Sequence, residues 1–265
     1  MTTPTPLQTP FVLTSRDPRG VVTLTLDRPQ SFNALSEGML AALQAEFDAI
    51  AGDDSARLVI VAGAGKAFCA GHDLKQMRAA PSLGYYERLF AQCSRLMLAI
   101  QRLPVPVIAR VQGIATAAGC QLVAACDLAV AASDARFAVS GVNYGLFCST
   151  PSVALARNLL RKQAMEMLLT GDFISAEQAR ERGLVNRVAA PGQLDAEVEA
   201  LVARIVTKPR TAIAMGKAQF YQQIEVGTEA AYAVAGAAMA CNMMDEAALE
   251  GVQAFVEKRS PRWPG

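Results

Sequence analysis

The sequence predicts an α/β fold, with a core of parallel strands and helices over residues 1–194 and a helical region over residues 195–265. Three observations carry this. Strand and helix patterns alternate repeatedly up to about residue 190, the order expected of parallel pairing. Residues 58–62, LVIVA, form a continuous apolar run suited to a strand covered on both faces. From Leu194 onward only helical patterns remain, punctuated by Pro191-Gly192 and Pro209.

Taken in order, residues 1–11 are rich in Thr and Pro and read as a mobile arm. Residues 21–26 alternate Val22, Leu24 and Leu26 with Thr23 and Thr25, the period of a half-buried strand. Apolar residues Leu35, Met39, Leu43, Phe47 and Ile50 then recur at helical spacing, with Asn33 or Ser36 available as cap and Gly52 as stop. After the strand at 58–62 comes the loop GAGKAFCAGH. A long helix over residues 85–103 follows, with Leu89, Phe90, Cys93, Met97 and Ile100 on one face, and leads to an apolar strand at 105–111. The Gly/Ala-rich turn after Gly113 opens a buried helix, and its small residues allow backbone amides to approach a ligand. Short strands are expected at 128–132 and 136–139. Ser175 and Gln178 form a capping-box pattern, Gly183 ends that helix, and residues 184–188 resume a strand. Residues 230–244 are apolar almost all round and are expected to be buried against another subunit.

Composition narrows the function. A net charge of +1 removes the electrostatic case for broad binding to nucleic acid or a membrane surface. Six cysteines without CxxC pairs read as reduced, mostly buried thiols. The N-terminus shows neither a basic nor an apolar leader pattern, so a cytoplasmic location is expected. The single histidine, His72, leaves no cluster of His ligands for a metal. Gly63-Ala64-Gly65-Lys66 lacks Walker spacing, and no GxSxG elbow is present.

Two stretches bear on chemistry. In FCAGHDLKQM, residues 68–77, Ala70-Gly71 permit a sharp bend, and Asp73 with Gln76 has the spacing of a helix cap and its return partner. Capping is the stronger reading of Asp73. The bend also exposes the His72 amide. The second stretch, VQGIATAAGCQLVAACD at 111–127, offers further amides at a helix start. Two such turns are able to build an oxyanion hole.

With these segments the chain resembles the crotonase, or enoyl-CoA hydratase/isomerase, superfamily. The likeness rests on Arg28-Pro29 through Asn33-Ala34-Leu35, FCAGHDLKQM, PVPVIARVQGIATAAGCQLVAACD, FAVSGVNYGLF, Gly171 with SAEQARERGLVNRV, and FVEKRSPRW. ATAAGCQLVA and GLFCSTPSVALAR resemble more narrowly the enoyl-CoA hydratase domain-containing protein 3 subgroup. The resemblance implies a ββα spiral core and C-terminal helices that build homotrimers, commonly paired into hexamers. It also implies an acyl-CoA substrate and no prosthetic group, coenzyme A entering only as part of that substrate. The thioester oxygen would lie between the amides of His72 and Ala118. Arg28, Ala34, Lys66 and Ala70 match positions that line the CoA moiety, and Phe255 and Lys258 match positions that reach a neighbouring CoA.

The chain departs from the family pattern where hydratases carry two glutamates. Those positions are Gln121 and, four residues after Phe137, Gly141. An amide exchanges no proton near neutral pH and glycine has no side chain, so efficient hydration is not expected. A glutamate at 141 is barred if that residue needs a conformation open only to glycine. His72, Asp73, Tyr144 and Cys148 are the remaining candidates for proton transfer, with the backbone role of His72 preferred. Two main readings follow: an enzyme relying on oxyanion stabilisation, or a non-catalytic acyl-CoA-binding protein. A Ser/His protease on a related fold is disfavoured by the lone histidine.

Overall fold

The computed structural model describes residues 10–263; the rest of the Thr/Pro-rich segment, residues 1–9, lies outside the described residues. Strands β1 (Val12–Arg16) and β2 (Val21–Leu26) form an antiparallel hairpin. Helix α1 (Glu37–Ala51) leads to β3 (Leu58–Gly63), followed by the short α2 (Leu74–Ala79) and the long α3 (Leu83–Arg102). Next come β4 (Val107–Val111), β5 (Ile114–Thr116), α4 (Ala118–Ala125), β6 (Leu128–Ala132) and β7 (Arg136–Ala138). Helices α5 (Ser149–Asn158) and α6 (Arg161–Thr170), β8 (Ile174–Ser175), α7 (Ala176–Glu181) and β9 (Arg187–Ala189) complete the α/β part. The remainder is α8 (Leu194–Ile205), α9 (Arg210–Gln223), α10 (Thr228–Asn242) and α11 (Glu246–Val256).

The strands form a six-stranded sheet ordered β1-β2-β3-β4-β6-β9 and a three-stranded sheet ordered β5-β7-β8. From β2 to β9 the large sheet is parallel. The chain therefore winds from one sheet to the other, which is the spiral of the crotonase fold. Alternation divides each central strand between two cores. Val59, Val61, Val107 and Ala109 pack toward α1 and α3, whereas Leu58, Ile108 and Val130 pack with Leu194, Val198 and Val202. Helix α8, which starts at the expected boundary residue Leu194, thus covers the second face of the sheet.

The local signals act as their chemistry suggests in most places. The Ser36 hydroxyl caps α1, and Ser175 with Gln178 forms a complete capping box on α7. Asp73 caps α2 by accepting from the Lys75 and Gln76 amides. The expected return bond from Gln76 is corrected: its side chain reaches across to Glu37, accepting from the Glu37 amide and donating to the Glu37 carboxylate. Tertiary partners on α1 outcompete the local one. Phe11, at the end of the supposed arm, is likewise held, lying 4.1 Å from the Arg28 guanidinium. Five cysteines are buried and all six are free thiols. Burial pushes the thiols of Cys69, Cys93 and Cys120 up to about 12.

Helix α9 is tied to the core by a largely buried polar cluster. Lys217 Nζ donates to the Ile100 and Val105 carbonyls and to Asp127 at 2.6 Å, while the Tyr221 hydroxyl donates to the other Asp127 oxygen at 2.9 Å. By contrast α10 buries none of its residues, and Tyr232 and Met239 stand exposed. No helix among the described residues is long and apolar enough to cross a membrane.

Candidate functional site

The site forms where two loops meet. Gly71 adopts φ +88°, and a Cβ placed there would lie 3.2 Å from the Ala118 amide nitrogen and 2.9 Å from the Thr116 carbonyl. Only glycine fits this contact, which brings the His72 bend against the start of α4. Gly119 allows the same closeness one residue on, since a Cβ there would meet the Cys69 carbonyl at 2.1 Å. Thr116 secures the junction by donating its hydroxyl to the Ala70 carbonyl at 2.9 Å.

No side chain caps α4, and Ala117 before it is held at φ +49°, ψ −118°, a region that non-glycine residues rarely occupy. The first amides of α4 follow this turn and, as at any helix start, have no carbonyl partner within the helix. His72, Ala70, Thr116, Ala117, Ala118 and Gly141 all line one cavity of about 700 Å³. Preorganised amides at such a place are able to hold an oxygen on which negative charge develops.

The residues expected to line a CoA moiety divide into two groups. Ala70 lines the cavity, whereas Arg28, Ala34 and Lys66 do not. The two segments are nevertheless joined by Asn33, which is fully buried at φ +54°. Its side-chain oxygen accepts from the Arg28 amide at 2.9 Å, and its nitrogen donates to the Ala64 and Ala67 carbonyls at 2.9 and 2.8 Å. The Ala70 amide also donates to the Phe32 carbonyl. Asn33 is therefore a brace between loops, and the capping role considered for it is taken by Ser36. Arg28 donates to the Pro10 and Asp27 carbonyls. Phe255, 84% exposed, and Lys258, at φ +54°, lie at and beyond the end of α11 and do not border the cavity.

The two positions expected to match the hydratase glutamates differ in their surroundings. Gln121 is 4% exposed and lines, in place of this cavity, a second one of about 770 Å³ between α3, α4, α5 and α9. Its Oε1 is buried without a partner, and Thr150 borders both cavities. Gly141 does line the first cavity, but its φ is not left-handed, so conformation is not what excludes a side chain. Crowding does. A Cβ at Gly141 would lie 2.3 Å from the Leu146 carbonyl oxygen and 2.7 Å from Cys148 Sγ.

Among the other proton-transfer candidates, Asp73 is committed to capping α2. Tyr144 borders the cavity but is 74% exposed. Cys148 is buried, accepts from the Gly141 amide at 3.3 Å, and has its thiol pushed up by burial, so it stays protonated at neutral pH. Asp172, which the sequence did not single out, is an exposed carboxylate on the cavity wall. The His72 ring makes a bond of 3.3 Å from Nδ1 to the Leu35 carbonyl and packs edge-on to Phe90. Because a carbonyl only accepts, Nδ1 carries the proton. Burial lowers the affinity of this imidazole for a second proton.

A two-sheet spiral whose loops converge as helix starts on one cavity defines a crotonase-fold protein. The sequence comparisons make the assignment finer: the chain belongs to the enoyl-CoA hydratase/isomerase family, whose pattern matches residues 16–265. It is 42% identical over 258 residues to the rat (Rattus norvegicus) mitochondrial enoyl-CoA hydratase domain-containing protein 3, covering 97% of this chain and 86% of the rat protein. A crystal structure of an enoyl-CoA hydratase from Mycobacterium smegmatis superposes with a TM-score of 0.95 at 69% identity, covering 96% of this chain and 99% of that one. The crystal structure of human enoyl-CoA hydratase domain-containing protein 3 gives a TM-score of 0.92 at 41% identity, covering 96% of this chain and 100% of that one. The expected cytoplasmic location is overturned by the named compartment of these relatives, since the rat, mouse, zebrafish and human proteins are all designated mitochondrial. The N-terminal composition carries no weight against that.

Proposed function

We propose that this protein binds acyl-CoA thioesters with the thioester oxygen between the amides of His72 and Ala118, and that it hydrates enoyl thioesters inefficiently. The family acts on CoA thioesters, and the reading is supported by His72 and Ala118 lining the same cavity, where their backbone amides are candidates to hold a carbonyl oxygen. The observation that carries the second half is Gly141, crowded by Leu146 and Cys148 where a hydratase carboxylate would stand. With Gln121 turned to another cavity, water lacks the paired carboxylates that would activate it and return its proton. In this reading the segments braced by Asn33 carry Arg28, Ala34 and Lys66 along the CoA moiety toward Ala70. The helical part from residue 195 builds a trimer, commonly paired into a hexamer, in which the exposed faces of α10 and α11 are covered. Phe255 and Lys258 then reach a neighbour's CoA. A non-catalytic acyl-CoA binder is the second reading, favoured by the same crowding at Gly141. Calorimetry with crotonyl-CoA, run beside a hydration assay, tests the proposal: heat of binding in the micromolar range with hydration far below that of a two-glutamate relative supports it.

A further inference from the structure

We infer that the imidazole of His72 is the proton-transfer group of this cavity, exchanging protons at the α-carbon of a bound acyl thioester. The inference rests on the acyl-thioester reading above and adds a reacting side chain to it.

The observations converge on one atom. Nδ1 donates to the Leu35 carbonyl, which leaves the lone pair on Nε2. Nε2 is buried and has no hydrogen-bond partner in a residue that lines the cavity. A buried polar atom left unpaired is costly and asks for an explanation. A base waiting for a substrate proton is one, and burial keeps the ring neutral and able to accept. Of the other titratable residues on the wall, Cys148 holds its proton, and Tyr144 and Asp172 are exposed and hydrated where the His72 ring is not. Nε2 is buried as placed, so the ring must turn from the edge of Phe90 to present it to a ligand, and the bond given up in that turn, 3.3 Å to the Leu35 carbonyl, is at the long end of hydrogen bonding.

The step balances within the complex. The Nε2 lone pair takes a proton from Cα, the C–H pair becomes the π bond between Cα and the carbonyl carbon, and the carbonyl π pair moves onto oxygen. That oxygen is held by the amides of His72 and Ala118. The imidazolium then returns a proton, or a deuteron acquired from solvent, to Cα. One residue thus contributes its backbone to the oxyanion and its ring to the proton. The charged or titratable groups on the elements around the ring are Glu37, held by Gln76, and Tyr85 and Tyr86 on α3. Asp73 adjoins it in the chain, and Cys148 and Asp172 stand elsewhere on the cavity wall.

Exchange of the α-protons of butyryl-CoA in deuterated water, followed by NMR, tests this directly. The wild-type protein is expected to catalyse the exchange, and His72→Gln, which keeps the backbone amide, to slow it by roughly 10²–10⁴-fold while calorimetry still registers butyryl-CoA binding. Wild-type binding without exchange, or equal exchange by both proteins, overturns the inference and leaves the acyl-thioester reading standing. Absence of binding by the wild type removes that reading itself. A variant that does not fold is bypassed with the wild-type chain, whose single histidine gives one assignable pair of ¹⁵N resonances. An Nδ1–H tautomer whose Nε2 resonance moves on adding butyryl-CoA supports the inference, and an Nε2 resonance that does not move contradicts it.

Discussion

The Gly141 amide donates to the sulfur of Cys148 at 3.3 Å, closing a tight loop at the position expected from the family resemblance to match a hydratase carboxylate. The Leu146 amide returns to the Gly141 carbonyl at 3.0 Å, so the loop is held from both sides. Any side chain at 141 must displace this loop. Gly141→Ala is expected to lower stability by about 1–3 kcal/mol through overpacking, read by chemical denaturation. Gly141→Glu is expected to cost more and to leave crotonyl-CoA hydration unrestored; a stable variant with ordinary turnover would contradict this.

Ala117 presents the opposite case, a side chain where the backbone favours glycine. Its φ of +49° stores strain of about 1–3 kcal/mol at the turn that orients the Ala118 amide. Ala117→Gly removes that strain at the expense of a more flexible unfolded chain. A net gain of about 1 kcal/mol is expected in equilibrium unfolding, and a loss of stability would count against the strain.

Lys217 and Asp127 form the buried pair that fastens α9 to the core. Lys217→Ala strips Asp127 of its cation and leaves the Ile100 and Val105 carbonyls without this donor. A loss of about 3–5 kcal/mol is expected, measured by urea denaturation. A change below 1 kcal/mol would show that the pair merely breaks even against solvation.

His72 couples stability to acidity. Burial lowers its folded pKa below the ordinary value of 6.5, so the unfolded chain binds the proton more readily. The stabilisation from the neutral ring is complete above pH 6.5 and is lost as the pH falls toward the folded pKa. Wild-type stability is therefore expected to fall relative to that of His72→Gln on acidification below pH 6.5. A difference independent of pH across that window would contradict the shift.

The sheet, its principal helices and the two loops were legible in the sequence because each has a local signature. Period-two alternation marks residues 21–26, and Ser175 with Gln178 marks the start of α7. The edge strand β1 was not, because one of its five residues is buried and VLTSR shows no alternation to read. Counting located the positions of Gln121 and Gly141 but not their surroundings. Which cavity Gln121 enters is decided by how α3, α5 and α9 stack around α4, and the crowding at Gly141 comes from a loop that folds back from Leu146. Asn33 is one of two residues the sequence offers as cap, with Ser36, because Asn favours helix starts. Its burial between two loops depends on contacts with Ala64 and Ala67, more than thirty residues away.

The most direct test of the central claim is a titration of the wild-type protein with crotonyl-CoA in a calorimeter, followed by assay of the same mixture for 3-hydroxybutyryl-CoA. Saturable binding with little hydrated product is the result expected from two oxyanion donors and no paired carboxylates. No binding, or hydration as fast as that of a two-glutamate relative, would contradict it.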